Sequence, residues 1–132
     1  MNGNDILMYG HEWVMMHLDG LSEDEISTPN VCGWWSIKEI LMHLASFEKV
    51  TIDIFEELNG KPRGDALTMM IEVDGDEFNK VQIEARKDFS VSQVLADYQD
   101  SQARVRELYK QASPEILRQA GTIQWYGEIY DL

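Results

Sequence analysis

The sequence predicts an all-α fold, a four-helix bundle whose fourth helix is short or truncated. Three observations carry this reading. Apolar residues recur at three- and four-residue steps over long stretches, the two longest of these open with capping boxes, and glycine and proline stand between the helical segments.

In chain order, residues 6–19 put Leu7, Val14, Leu18 and Leu21 on one face, widened by Met8, Trp13, Met15 and Met16, and predict a first helix ended by Gly20. A polar turn over residues 22–30, closed near its end by Pro29, leads to Ser36. Ser36 and Glu39 form a capping box, in which the hydroxyl accepts from one free amide and the carboxylate reaches back to the cap residue. Behind it Ile37, Ile40, Leu41, Leu44, Phe47, Val50, Thr51, Ile54 and Leu58 trace a second helix over residues 37–58. Gly60, Pro62 and Gly64 stop it.

The apolar run over residues 67–73 is too short to classify by period and is read as a loop or extended piece over one bundle end. Asp74-Gly75-Asp76 supplies a turn and a cap for a short helix over residues 77–86, with Phe78, Val81 and Ile83 as its apolar positions. A second capping box, Ser90 with Gln93, opens a third bundle helix through Val91, Val94, Leu95, Tyr98, Val105, Leu108, Tyr109 and Ala112, with Ser101 and Gln102 at core-facing positions. Ser113-Pro114 caps one or two turns over residues 115–119. After Gly121, residues 122–132 begin another helix.

All of this reads as one domain over residues 1–132. A fourth helix of eleven residues would span only ~16 Å, so part of the core surface of the longer helices is expected to lie uncovered. Such exposure calls for a longer native chain, an oligomer that supplies the cover, or a weakly stable monomer.

The net charge of −13 and pI near 4.4 argue against a nucleic-acid partner, because phosphate binding relies on clustered lysine and arginine. Anionic membrane surfaces are disfavoured for the same reason. No apolar run approaches the ~20 residues that cross a bilayer, and no basic-then-apolar signal opens the chain, so a cytoplasmic protein is expected. Cys32 is the single cysteine, which leaves no internal disulfide.

His43 is the candidate that stands out, a lone histidine among the apolar positions of the second helix. It reads either as a core residue with its ring nitrogens satisfied or as a metal ligand. His11 and His17, six apart on the first helix, cannot form a local chelate. Glu48, Asp53, Glu56 and Glu57 could supply oxygen ligands, although Glu56 and Glu57 read as a solvated helix end. Asp97 is a candidate carboxylate partner for a histidine. Cys32 precedes a helix start, where a thiol can be activated, but no base is specified beside it. Trp34 and Trp35 either close the bundle end or line a pocket, and Trp125-Tyr126 either anchor the last segment or line the same cavity. Ser101 and Gln102 either make room for a ligand or water, or face the next helix as a mild packing defect. The methionines read as adaptable core filler.

The order of these pieces carries a resemblance. A first helix ending in Leu21-Ser22-Glu23-Asp24-Glu25, then Gly33-Trp34-Trp35-Ser36-Ile37-Lys38-Glu39-Ile40-Leu41-Met42-His43-Leu44, resembles the DinB-like (DinB/YfiT) superfamily. Asp76-Glu77-Phe78-Asn79 followed by residues 90–108 is similar to the later part of these proteins, so the resemblance spans essentially the whole chain. It implies an up-down-down-up four-helix bundle, often a homodimer, that holds a divalent metal, nickel or zinc. Three histidines would bind it, one from the second helix and a pair at a four-residue step on the fourth. His43 falls on the second-helix position, and the pair would lie beyond Leu132. The function implied is a metal-dependent enzyme acting on a small-molecule substrate, a thiol-dependent transferase or isomerase or a hydrolase, in which the metal acts as a Lewis acid or activates water or a thiol. The alternative is a noncatalytic bundle used for dimerisation or small-molecule binding.

Overall fold

The computed structural model describes residues 2–121 and 123. Seven helices lie among them, in the order α1 (Gly3–Leu18), α2 (Glu23–Ser27), α3 (Ile37–Leu58), α4 (Asp65–Glu72), α5 (Gly75–Glu84), α6 (Val91–Gln111) and α7 (Pro114–Leu117). The described residues contain no strand beyond one isolated bridge between Cys32 and Trp35. The fold is therefore all-α, as the sequence predicts. The expected start of a fourth bundle helix, with Trp125 and Tyr126, lies outside the described residues.

Local chemistry starts most of these helices. The Ser36 hydroxyl accepts from the Glu39 amide at 3.2 Å, and the Glu39 carboxylate accepts from the Ser36 amide at 2.7 Å. Ser90 with Gln93 does the same for α6, and Ser22 with Glu25 makes a one-turn helix, α2, out of what the sequence presented as a polar turn.

The run read as a loop or extended piece over residues 67–73 is helical instead, as α4. Its N-cap, Gly64, has no side chain to offer, and the cap comes from another helix: Asp53 of α3 accepts from the Leu67 amide at 3.0 Å. Glycine is required at 64 by space, since a Cβ there would come within 2.2 Å of the Asp53 carboxylate. A helix start borrowed from fourteen residues upstream leaves no mark in the local sequence, which is why the run looked unclassifiable.

The core runs along α3, which packs most extensively on α6 and also carries α4 and α5. Leu41, Met42 and Ala45 meet Val94 and Tyr98 at one end. Val50 and Ile54 meet Leu67, Met70 and Phe78 in the middle, and Phe55 meets Val105 and Leu108 at the other end. Helix α1 leans on α6 and contributes no fully buried residue. Trp13 and Met16, expected to widen its core face, are instead exposed, and with Ile6 and Tyr9 they form an exposed apolar stripe along α1.

One ionic cluster ties three helices together. Arg86, just past the end of α5, is 5% exposed, and its guanidinium donates to Asp97 of α6 at 2.8 Å, to the Gln82 carbonyl at 2.9 Å and to the Gln82 side chain at 2.8 Å. Lys49 of α3 reaches the other Asp97 oxygen at 2.7 Å. Burial alone would raise the Asp97 carboxyl, but the hydrogen bonds and charges of Lys49 and Arg86 outweigh it and hold the group below its ordinary value.

Two predictions follow from these contacts. Gly64→Ala displaces the Asp53 carboxylate from the α4 amide, so it should lower stability by about 1 kcal/mol, despite alanine's higher helix propensity, and speed hydrogen exchange at the Leu67 amide; unchanged exchange would refute the borrowed cap. Asp97→Ala leaves a buried guanidinium with its main partner removed and should cost about 2 kcal/mol in chemical denaturation. Because the folded Asp97 pKa is depressed, its contribution is present above the unfolded value of about 4 and is lost as pH falls through the folded one. The gap between wild type and Asp97→Ala should therefore narrow below about pH 4.

Candidate functional site

The turn before α3 sets the entrance to the site. Asn30 and Gly33 adopt left-handed backbone, at φ 64° and 61°, and the Val31 and Cys32 amides both donate to the Trp35 carbonyl, at 2.9 and 3.1 Å. The chain thereby reverses so that Trp34 projects outward, 80% exposed, while Trp35 turns in against His43 at a ring-centroid distance of 5.3 Å.

His43 is half-buried and held on three sides. Trp35 flanks the ring, Phe47 lies one helical turn along at 4.7 Å, and Asn79 of α5 fixes its Nδ1 at 2.8 Å. With the Asn79 side-chain oxygen facing the ring, Nδ1 donates, and the neutral imidazole then carries its free lone pair on Nε2. Nε2 makes no hydrogen bond among the described residues. An imidazole pinned through one nitrogen with the other free of a hydrogen bond is the arrangement that orients a metal ligand. Outside this ring Trp34, Trp35, Asn79, Lys80 and Ile83 border a groove of about 550 Å³, with Glu39 already engaged in capping α3. His43 thus lies behind two of the groove's walls, Trp35 and Asn79.

The remaining metal donors suggested by the sequence do not converge on His43. Among the described residues no group of three or more His, Cys, Asp or Glu is placed to hold a metal ion. A single imidazole suits zinc or nickel as one donor, and a complete centre needs further donors from outside these residues. Asp97, the candidate partner for a histidine, serves Arg86 and Lys49 instead. Asp53 caps α4. Glu56, read as part of a solvated helix end, is shielded and paired with Arg104 at 2.7 Å and with Lys61. Glu57 pairs with Arg63 at 2.9 Å. Cys32 is exposed.

The first-helix histidines part company. His17 donates to the Trp13 carbonyl at 2.8 Å on the surface. His11 is half-buried beside Tyr98, ring centroids 5.3 Å apart, and its Nδ1 is enclosed without a hydrogen-bond partner. Burial, then the charge of Arg106, holds its pKa below the ordinary value against the opposing pull of Glu12. Glu48 lies on the same side of α3 as this pair, and desolvation pushes its carboxyl up to about 7. Tyr98 is raised by burial and then by the Glu48 charge. Ser101 and Gln102 are both buried in the α6 core stripe, and the Gln102 amide donates to the Leu7 carbonyl at 2.8 Å, which docks α1 on α6.

Asn79 is the residue of the candidate site that sequence reasoning missed. It lies 36 residues from His43, on the polar edge of a short helix, and only the packing of α5 on α3 reveals the pairing. Its neighbour Phe78, fully buried against Phe47, was the readable sign that α5 docks here.

No helix among the described residues is long and apolar enough to cross a membrane. No curated protein and no solved structure matches the chain. The family model of the DinB superfamily matches residues 12–129, a span that takes in the Trp35 turn, His43 on α3, Asn79 on α5 and the α6 packing helix. The chain belongs to the DinB superfamily.

Proposed function

We propose that this protein is a metal-dependent enzyme acting on a small molecule, in which His43 Nε2 is one ligand of a nickel or zinc ion. The observation that carries the reading is the Asn79 contact to Nδ1, which leaves Nε2 as the nitrogen free of a hydrogen bond among the described residues. The other donors would come from outside the described residues or from a second subunit. When bound, the metal would supply Lewis acidity toward a substrate oxygen or a thiol, the chemistry of a thiol-dependent transferase or isomerase, or of a hydrolase. The chain's own residues do the positioning. Asn79 fixes the imidazole tautomer, Phe47 and Trp35 restrict its rotation, and the groove outside Trp35 gives a substrate a place to sit.

Metal content of the purified full chain, measured by mass spectrometry after dialysis without chelator, tests this. Stoichiometric nickel or zinc is expected in the wild type and absent in His43→Ala. Asn79→Ala should retain the ligand and weaken affinity by about 10- to 100-fold, the usual effect of removing a partner behind a metal-bound histidine. Metal retained in full by His43→Ala, or a wild type that takes up none after incubation with either ion, would sink the proposal.

A second reading has its own observation. The stripe of Ile6, Tyr9, Trp13 and Met16 on α1 exposes each residue by more than half, and the 3-4-3 spacing keeps all four on one helix face. A noncatalytic bundle that self-associates through this face accounts for it. Trp13→Glu should then convert a homodimer to a monomer in sedimentation analysis, whereas an unchanged mass would remove the stripe from consideration.

A further inference from the structure

A separate cavity of about 240 Å³ opens between α1, α3 and α6, on the other side of α3 from the His43 imidazole. Leu7, Val14 and Leu44 supply apolar wall, and Glu48, His11 and Tyr98 supply its polar end. Glu48 sets this cavity apart. Asp97, Asp53 and Glu56, like Glu48 shielded carboxylates on α3 and α6, each have a hydrogen-bonding partner at or below 3.0 Å, whereas Glu48 has none among the described residues.

Among the described residues no neighbouring cation pairs with Glu48. Lys49 is committed to Asp97, and Arg106, whose enclosed Nε has no hydrogen-bond partner among the described residues, lowers the His11 pKa by its charge and makes no ion pair with Glu48. The Gln102 amide, a candidate donor in the same wall, is spent on the Leu7 carbonyl. What remains, among the described residues, is a carboxylate without a counter-ion, an enclosed imidazole nitrogen without a partner, and the faces of two rings 5.3 Å apart. A desolvated carboxylate is costly until a positive group meets it, and ring faces attract the same group.

We propose that the cavity between α1, α3 and α6 binds a small organic cation, a primary ammonium on a short apolar body. The ammonium pairs with Glu48 against the Tyr98 and His11 rings, and the apolar body lies on Leu7, Val14 and Leu44. The site is independent of any metal at His43. The titratable and charged groups that face it are His11 from α1, with Glu12 behind it, Tyr98 and Arg106 from α6, and Glu48 itself from α3. Since the Glu48 carboxyl stands at about 7, ionisation rises about tenfold between pH 6 and pH 8, and cation affinity should rise with it.

The test is titration of the full chain with benzylammonium and, separately, with neutral benzyl alcohol, followed by calorimetry and by NMR of the Tyr98 ring. Benzylammonium should bind, about tenfold more tightly at pH 8 than at pH 6, with benzyl alcohol at least tenfold weaker at pH 8. Glu48→Gln should lose at least tenfold in affinity together with the pH dependence, while Glu72→Gln, an equal charge change at an exposed position on α4, should lose neither. Gly10→Leu guards against a folding artefact. Gly10 borders the cavity, a Cβ there meets nothing within 4 Å, and leucine favours the helix, so this variant should fold at least as stably while losing the ligand. Equal binding of the alcohol and the ammonium, wild-type affinity in Glu48→Gln or Gly10→Leu, or no binding of benzylammonium at all would each overturn the proposal.

Discussion

The contact on which the rest depends is the one between Arg86 and Asp97. A guanidinium at 5% exposure is tolerable only when its donors are used, and here they are used on a carboxylate and on two oxygens of the preceding helical turn. The carboxylate belongs to α6 and also receives Lys49 of α3. The end of α5 is thereby fixed against both long helices by directional charge-assisted bonds, on top of the less directional packing of Phe78 in the core.

That fixation is what gives His43 its surroundings. Asn79 sits in the middle of α5, between the buried Phe78 and the Arg86 anchor two turns later, so its side-chain oxygen is carried to the imidazole by the docking of the whole helix. A short helix held only by Phe78 could rotate about that single ring. Held at both points it presents Asn79 in one orientation, which is the preorganisation a ligand histidine requires. The Trp35 turn does the equivalent work from the other side, because backbone bonds to the Trp35 carbonyl, rather than indole packing alone, set the direction of the ring.

The parts of this arrangement that were legible in the sequence are those set by neighbours within one helical turn. The Ser36–Glu39 and Ser90–Gln93 boxes and the Ser113-Pro114 start formed where the residues indicated, and the α3 and α6 apolar stripes gave the main packing pair. His43 stood out because it interrupts such a stripe. The parts that were not legible depend on partners far along the chain. The α4 helix needs Asp53, Asp97 answers to Arg86 rather than to a histidine, and Asn79 meets His43 across 36 residues. Trp13 and Met16 misled in the opposite direction, since an apolar residue beside a helical stripe reads the same whether a neighbouring helix covers it or water does.

Helical geometry also separates the two candidate sites. His43 and Phe47 are one turn apart on the side of α3 that faces α5, and Leu44 and Glu48 are one turn apart on the side that faces α1. Five residues carry the helix through about 140° beyond a full turn, so the His43 and Glu48 side chains leave α3 in nearly opposite directions. Filling the Glu48 cavity therefore does not displace Asn79, and a metal at His43 does not supply the charge that Glu48 lacks. The backbone of α3 between the two residues is anchored by Ala45 and Ser46, both fully buried, and the Ser46 hydroxyl donates to the His43 carbonyl at 2.7 Å. A rigid stretch of that kind keeps each side chain at a fixed position without linking their occupancies, because coupling between sites requires an element with two arrangements and this one is packed into a single arrangement.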